Sequence, residues 1–160
     1  MSMETKGSHY GLRYTENSGI IETEEKEATM QITRQADYAL RAAKYLAGLA
    51  PNQKTSTAEI ARIMHIPPSF LAKILSQLAL TGIIYSERGA HGGVALARPA
   101  ADVNVLEVVE AIDGPIVMSE CTINDHFCPF SPDCSLHRMW CGARDELVSM
   151  LRNTTLAQVA

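Results

Sequence analysis

The fold is decided by residues 56 to 97, STAEIARIMHIPPSFLAKILSQLALTGIIYSERGAHGGVALA. Ser56 and Glu59 have capping-box spacing ahead of Ile60, Ile63 and Met64, which predicts a short helix. His65-Ile66 predicts a tight turn, and Pro67-Pro68 suits the first turn of a following helix, where a missing N–H costs nothing. Leu71, Ile74, Leu75 and Leu78 form one apolar stripe at helical spacing, which Gly82 closes. A strand-like segment at 83 to 88, a glycine-rich turn at 89 to 93 and a short strand at 94 to 97 predict a hairpin. Together with a preceding helix, this is the order of a winged helix-turn-helix.

That preceding helix begins at Thr33, a good N-cap, and carries Ala39, Ala42, Leu46 and Leu49 at three- and four-residue steps until Pro51-Asn52 stops it. Upstream, residues 1 to 29 show no sustained apolar period, and the tract Glu22-Thr-Glu-Glu-Lys-Glu27 predicts a solvated, flexible extension. Downstream, residues 105 to 112 predict a fourth helix ended by Gly114-Pro115, then an irregular loop at 119 to 133. Leu136, Trp140, Ala143, Leu147 and Met150 or Leu151 then make a short heptad seam suited to a second helix, which predicts a homodimer. The reading is therefore mainly α with a small β-hairpin wing: an extension (1–29), a DNA-binding winged helix (30–100) and a loop with a long dimerisation helix (101–160).

With 160 residues, 46% of them hydrophobic, the chain suits one ordinary domain plus extensions. No run of eighteen apolar residues and no signal-like start is present, so a cytoplasmic protein without a membrane partner is expected. The net charge of -4 is unevenly spread. Residues 30 to 100 hold eight Lys/Arg against three Asp/Glu, whereas 1 to 29 hold three against six and 101 to 160 three against nine. A basic face inside an acidic protein still attracts phosphates, because binding follows local potential. No nucleophile-base spacing or phosphate loop accompanies these motifs, so no enzyme is expected.

In a helix-turn-helix the N-terminal part of the second helix enters the major groove. Ser69, Ala72 and Lys73, with Ser76 behind, lie opposite the apolar stripe and face bases or phosphates in this reading. Gly92-Gly93 allow close backbone approach, His91 is placed for a phosphate, and Arg34 is a candidate backbone anchor. All four cysteines, Cys121, Cys128, Cys134 and Cys141, fall within 21 residues. In a reducing compartment such clustering points to metal or cluster ligation or to redox sensing. No pair is closer than five intervening residues, unlike the close pairs of structural zinc sites.

From Met30 onward the chain resembles the IscR and NsrR type of winged-helix regulators, the Rrf-two family. The resemblance rests on Met30-Gln-Ile-Thr-Arg-Gln-Ala-Asp-Tyr-Ala-Leu-Arg41, Ser69-Phe-Leu-Ala-Lys-Ile-Leu75, Arg88-Gly-Ala-His-Gly-Gly93 and Cys121-x6-Cys128-x5-Cys134-x2-His137. It implies a transcription regulator acting as a homodimer on an operator in double-stranded DNA, with Arg88 at the wing tip entering the minor groove. It also implies an iron-sulfur cluster, with Cys121, Cys128 and Cys134 as three ligands. For the fourth, the resemblance offers His137 on a 2Fe-2S cluster or Asp37 of the partner subunit on a 4Fe-4S cluster; local spacing from Cys134 favours His137. His126 is a further possibility. Cys141 lies about 10.5 Å beyond Cys134 along a helix and is set aside as a primary ligand, with packing beside the seam as its expected role. A cluster-free thiol-redox or constitutive regulator is the alternative.

Overall fold

The computed structural model describes residues 32–89, 92–123 and 133–160; the expected N-terminal extension, His91, His126 and Cys128 lie outside them. Helix α1 (Arg34–Ala47) starts where the Ala36 amide donates to Thr33 Oγ1 at 3.2 Å. Thr33 also donates from its own amide and hydroxyl to Asp113, at 3.1 and 2.6 Å, tying the start of α1 to the end of a later helix. The buried side of α1 is Ala36, Ala39, Ala42, Ala43 and Leu46, and such small side chains let neighbouring helices come close. The helix ends at Gly48, before the expected stop at Pro51-Asn52. Glycine is a poor helix residue, and the chain turns at once, with Gln53 donating to the Ala50 carbonyl and Asn52 at φ 63°.

Helix α2 (Thr57–Met64) is capped by Ser56, which accepts from the Glu59 amide at 3.1 Å. The Glu59 carboxylate pairs with Arg62 at 3.0 Å. His65 ends α2 in the left-handed region at φ 52°, a conformation costing about 1–2 kcal/mol for a residue with a Cβ. Burial of Ile66 immediately after it offsets that cost. Helix α3 (Pro68–Leu80) follows, with Leu71, Ile74, Leu75 and Leu78 buried, and Gly82 at φ 70° turns the chain out of it.

Strands β1 (Ile84–Glu87) and β2 (Gly93–Leu96) pair antiparallel, from Ile84 opposite Leu96 to Glu87 opposite Gly93. Strand β1 is shorter than the expected 83–88, whereas β2 keeps four residues but begins one position earlier than expected. Ile83 instead lies buried under the hairpin and accepts from the Ala97 amide. Thr55 bridges to Val94 on the other side of β2, which fixes the wing to the segment before α2.

Helix α4 (Val105–Asp113) has a full capping box, in which Asn104 and Glu107 satisfy each other's amides. Helix α5 (Ser135–Asn153) follows the cysteine-bearing loop, and α6 (Leu156–Val159) ends the chain. The last turn returns to the beginning of the fold: Leu156 donates to the Val103 carbonyl and is buried, while α6 packs on α1. One core therefore contains Ile60, Leu71, Ile74 and Leu78 together with Val103, Val108 and Leu156. The residues on both sides of position 100 lie within one compact unit, Gln31–Ala160. Each fully buried aliphatic side chain contributes about 1.5–3 kcal/mol, so α3 is held firmly by one face while its other face stays open.

Candidate nucleic-acid interface and metal centre

The open face of α3 carries Ser69, Phe70, Ala72, Lys73 and Ser76, all exposed. Among the described residues Lys73 enters no ion pair. Ser76 is less available than Ser69, because its hydroxyl already donates to the Ala72 carbonyl at 3.0 Å. Phe70 is a residue that sequence reasoning missed. An aromatic beside an apolar stripe reads as core, yet it is 47% exposed and presents an edge-on contact to Tyr38 at 6.3 Å. Arg41 lies over the same tyrosine at 5.7 Å. Arg34 is exposed in the first turn of α1, where a cation opposes the helix dipole and so gives the helix no stability.

The wing is braced at its base, where Lys54 pairs with Glu87 and sits over Tyr85. The hydrogen bond to Glu87 raises the Lys54 pKa further above its ordinary value. Arg88 follows β1 and is exposed. Gly92 has a reason of its own within the hairpin: a Cβ there would lie 2.2 Å from the Glu87 carbonyl oxygen. Gly93 is nearly as tight, with a Cβ 3.0 Å from Thr55 O. Both glycines are needed to close the wing, whatever approaches it from outside.

Cys121 occupies a 3-10 turn, Glu120–Thr122, that packs on α5. Its thiol donates to Ser119 Oγ at 3.5 Å, and Thr122 is buried with its hydroxyl on the Ser119 carbonyl at 2.7 Å. Arg144 of α5 donates to the Thr122 carbonyl at 2.8 Å, so a guanidinium fastens the cysteine turn to the helix. The Arg144 pKa is raised, first by its hydrogen bond to Asp145 and, less, by the charges of Asp145 and Cys141.

Cys134 is the N-cap residue of α5 and makes no side-chain capping bond, which leaves its sulfur uncommitted to the helix end. His137 stands one turn later, and Cys141 Sγ lies 3.6 Å from His137 Nε2 and 4.0 Å from Nδ1. Cys121, Cys134 and Cys141 are free thiols, all half-buried. Among the described residues no three of His, Cys, Asp and Glu gather closely enough for one metal ion. Asp37 faces away from that role within one chain, as its carboxylate is paired with Arg41 at 2.6 Å. Thiolates and imidazole are nonetheless the soft and borderline donors that suit iron-sulfur or zinc centres, so the chemistry of the donor set fits a cluster.

No residue of α5 is fully buried, and Leu136, Met139 and Met150 are exposed at 60%, 49% and 59%. With the half-buried Trp140, Ala143 and Leu147 they extend an apolar face along the helix. Among the described residues no single helix is long and apolar enough to cross a membrane.

A two-stranded wing beside a helix-turn-helix defines a winged-helix DNA-binding protein. The chain belongs to the Rrf2 family, the iron-dependent transcriptional regulators, whose model matches residues 32–160. Rv1287 of Mycobacterium tuberculosis, assigned by its name as an HTH-type transcriptional regulator, is 36% identical over 133 residues, covering 82% of this chain and 81% of that one. Among solved structures, CymR of B. subtilis, the global cysteine regulator, superposes with a TM-score of 0.71 at 25% identity, covering 81% of this chain and 95% of the other. IscR of T. potens superposes with a TM-score of 0.65 at 21% identity, covering 80% and 84%, a likeness of fold. The chain is thus a DNA-binding transcriptional regulator of mainly helical, winged-helix architecture.

Proposed function

We propose that this regulator works in the cytoplasm as a homodimer on a two-fold symmetric operator. In this reading its DNA affinity is set by an iron-sulfur cluster held by Cys121, Cys128 and Cys134 with a non-cysteine fourth ligand, His137. The observation that carries the reading is the Arg144 bond to Thr122, which joins the cysteine turn to the long helix bearing the apolar seam. A bound cluster supplies a group sensitive to redox state, nitric oxide or cluster supply. The chain supplies the transmission: a shift of the cysteine turn moves α5, which packs on α4, and α4 packs on α1 and α3. Two recognition helices in a dimer must match half-sites a helical turn apart, so a small change of α5 packing changes affinity.

Ser69, Ala72 and Lys73 read the major groove, Arg88, His91 and Gly92 serve the wing, and Arg34 anchors the backbone. Asp37 of the partner subunit is the competing fourth ligand, and to serve it must release Arg41. A second reading, a thiol-based regulator without a cluster, draws on the three free thiols and on the likeness to a regulator named for cysteine. Anaerobic reconstitution separates the two. Iron and acid-labile sulfide bound to the wild type, with DNA affinity that changes when they are removed, supports the cluster. Colourless protein whose DNA binding responds to thiol oxidation supports the second reading.

A further inference from the structure

We infer that Phe70 reads the 5-methyl group of a thymine in the major groove and so sets part of the operator sequence. The inference rests on the proposed placement of α3 in that groove. To Ser69 and Lys73, which recognise polar groups, it adds a side chain that recognises an apolar one.

The apolar stripe that seats α3 in the core is Leu71, Ile74, Leu75 and Leu78, and Phe70 lies off it. Phe70 is the one aromatic among the exposed large hydrophobics of the described residues. Its ring is nonetheless held in place. The edge-on contact at 6.3 Å rests it on Tyr38, which packs against the core and carries the Arg41 guanidinium at 5.7 Å from its centroid. A ring braced on one side and open on the other loses little conformational freedom on binding. Ser69 beside it and Lys73 three residues on are exposed as well, so the ring stands among groups that hydrogen-bond base edges and phosphates. A phenyl ring has no hydrogen bond to offer them. Of the groups that base edges present in the major groove, the thymine C5-methyl is the apolar one, and phenylalanine is among the side chains that pack on it. Phe70 is the third residue of α3, within the N-terminal part of a recognition helix that reaches base edges.

The test uses the full chain and a duplex that it enriches from a random-sequence pool. Each thymine of that duplex is replaced in turn by deoxyuridine, which pairs alike but lacks the 5-methyl group. At one thymine in each half-site the wild type should lose about fourfold in affinity, the equivalent of about 0.8 kcal/mol for one buried carbon group. Phe70→Ala should bind the thymine and uracil duplexes equally at that position, and Phe70→Leu, which keeps an apolar contact, should retain part of the preference. In the wild type, 5-iododeoxyuridine at the same position should photo-crosslink to Phe70, a readout that needs no variant to fold. A crosslink that maps to another residue, or a methyl preference that survives Phe70→Ala, overturns the inference. So does indifference to every uracil, the outcome expected if Phe70 meets a second protein rather than DNA. Indifference to uracil with binding still weakened by Lys73→Ala leaves α3 as the recognition helix and removes only the role of Phe70; a chain that enriches no duplex removes both.

Discussion

Lys73 stands on the open side of α3 while its neighbours Leu71 and Ile74 are wholly buried, so its charge can be removed without touching the core. Lys73→Ala and Arg88→Ala are each expected to weaken operator binding, by about 1–3 kcal/mol where the lost contact is to a base. A lost phosphate contact should instead reduce the salt slope by about one while leaving the melting temperature unchanged. Gel-shift or anisotropy titrations at several salt concentrations check both. Gly92→Ala is a different kind of change: its Cβ meets the Glu87 carbonyl, so the wing must deform. Overpacking of this sort costs about 1–3 kcal/mol, and the variant should lose DNA affinity together with thermal stability. At this scale the sequence was informative about Thr33, Ser56 and Gly82, whose roles depend on residues only a few positions away. It was silent on Phe70, because exposure of an aromatic depends on what lies across the helix pair.

The proposed homodimer places its assembly on the long helix α5. Leu147 lies within its apolar face, and Leu147→Asp places a charge where a second helix is expected. Sedimentation should show a dimeric wild type and a monomeric variant with weakened operator binding; a monomeric wild type at micromolar concentration removes the dimer from the account. Arg144→Ala tests transmission rather than assembly. With the bond to Thr122 gone, the cysteine turn is released from α5, and the difference in DNA affinity between cluster-loaded and stripped protein should shrink. The helices were legible from periodicity, but their ends were less so. The first helix stops at Gly48 because the turn around Asn52 begins there, a local event that the apolar repeat continuing to Leu49 conceals. The nearness of Cys141 to His137 was also present in the i, i+4 spacing; comparing Cys141 with Cys134 alone hid it.

At the scale of the whole molecule, the winged helix could be read from one stretch because its elements follow one another and pair locally. The return of the chain end could not. Helix α6 has four residues, too few for a period, and its Leu156 reaches the core only because Val103 and α1 meet it from distant parts of the chain. That closure makes residues on both sides of position 100 one body, the path along which the proposed signal from the cysteines would reach α3. The measurement that tests this most directly is operator affinity of one anaerobic preparation, with its cluster and after stripping, across a salt series. Both forms should lose affinity with a slope of about -0.9 per phosphate neutralised. At fixed salt they should differ by roughly 5- to 150-fold, the span of ordinary allosteric coupling. Identical affinities for iron- and sulfide-containing protein and its stripped form would contradict the account.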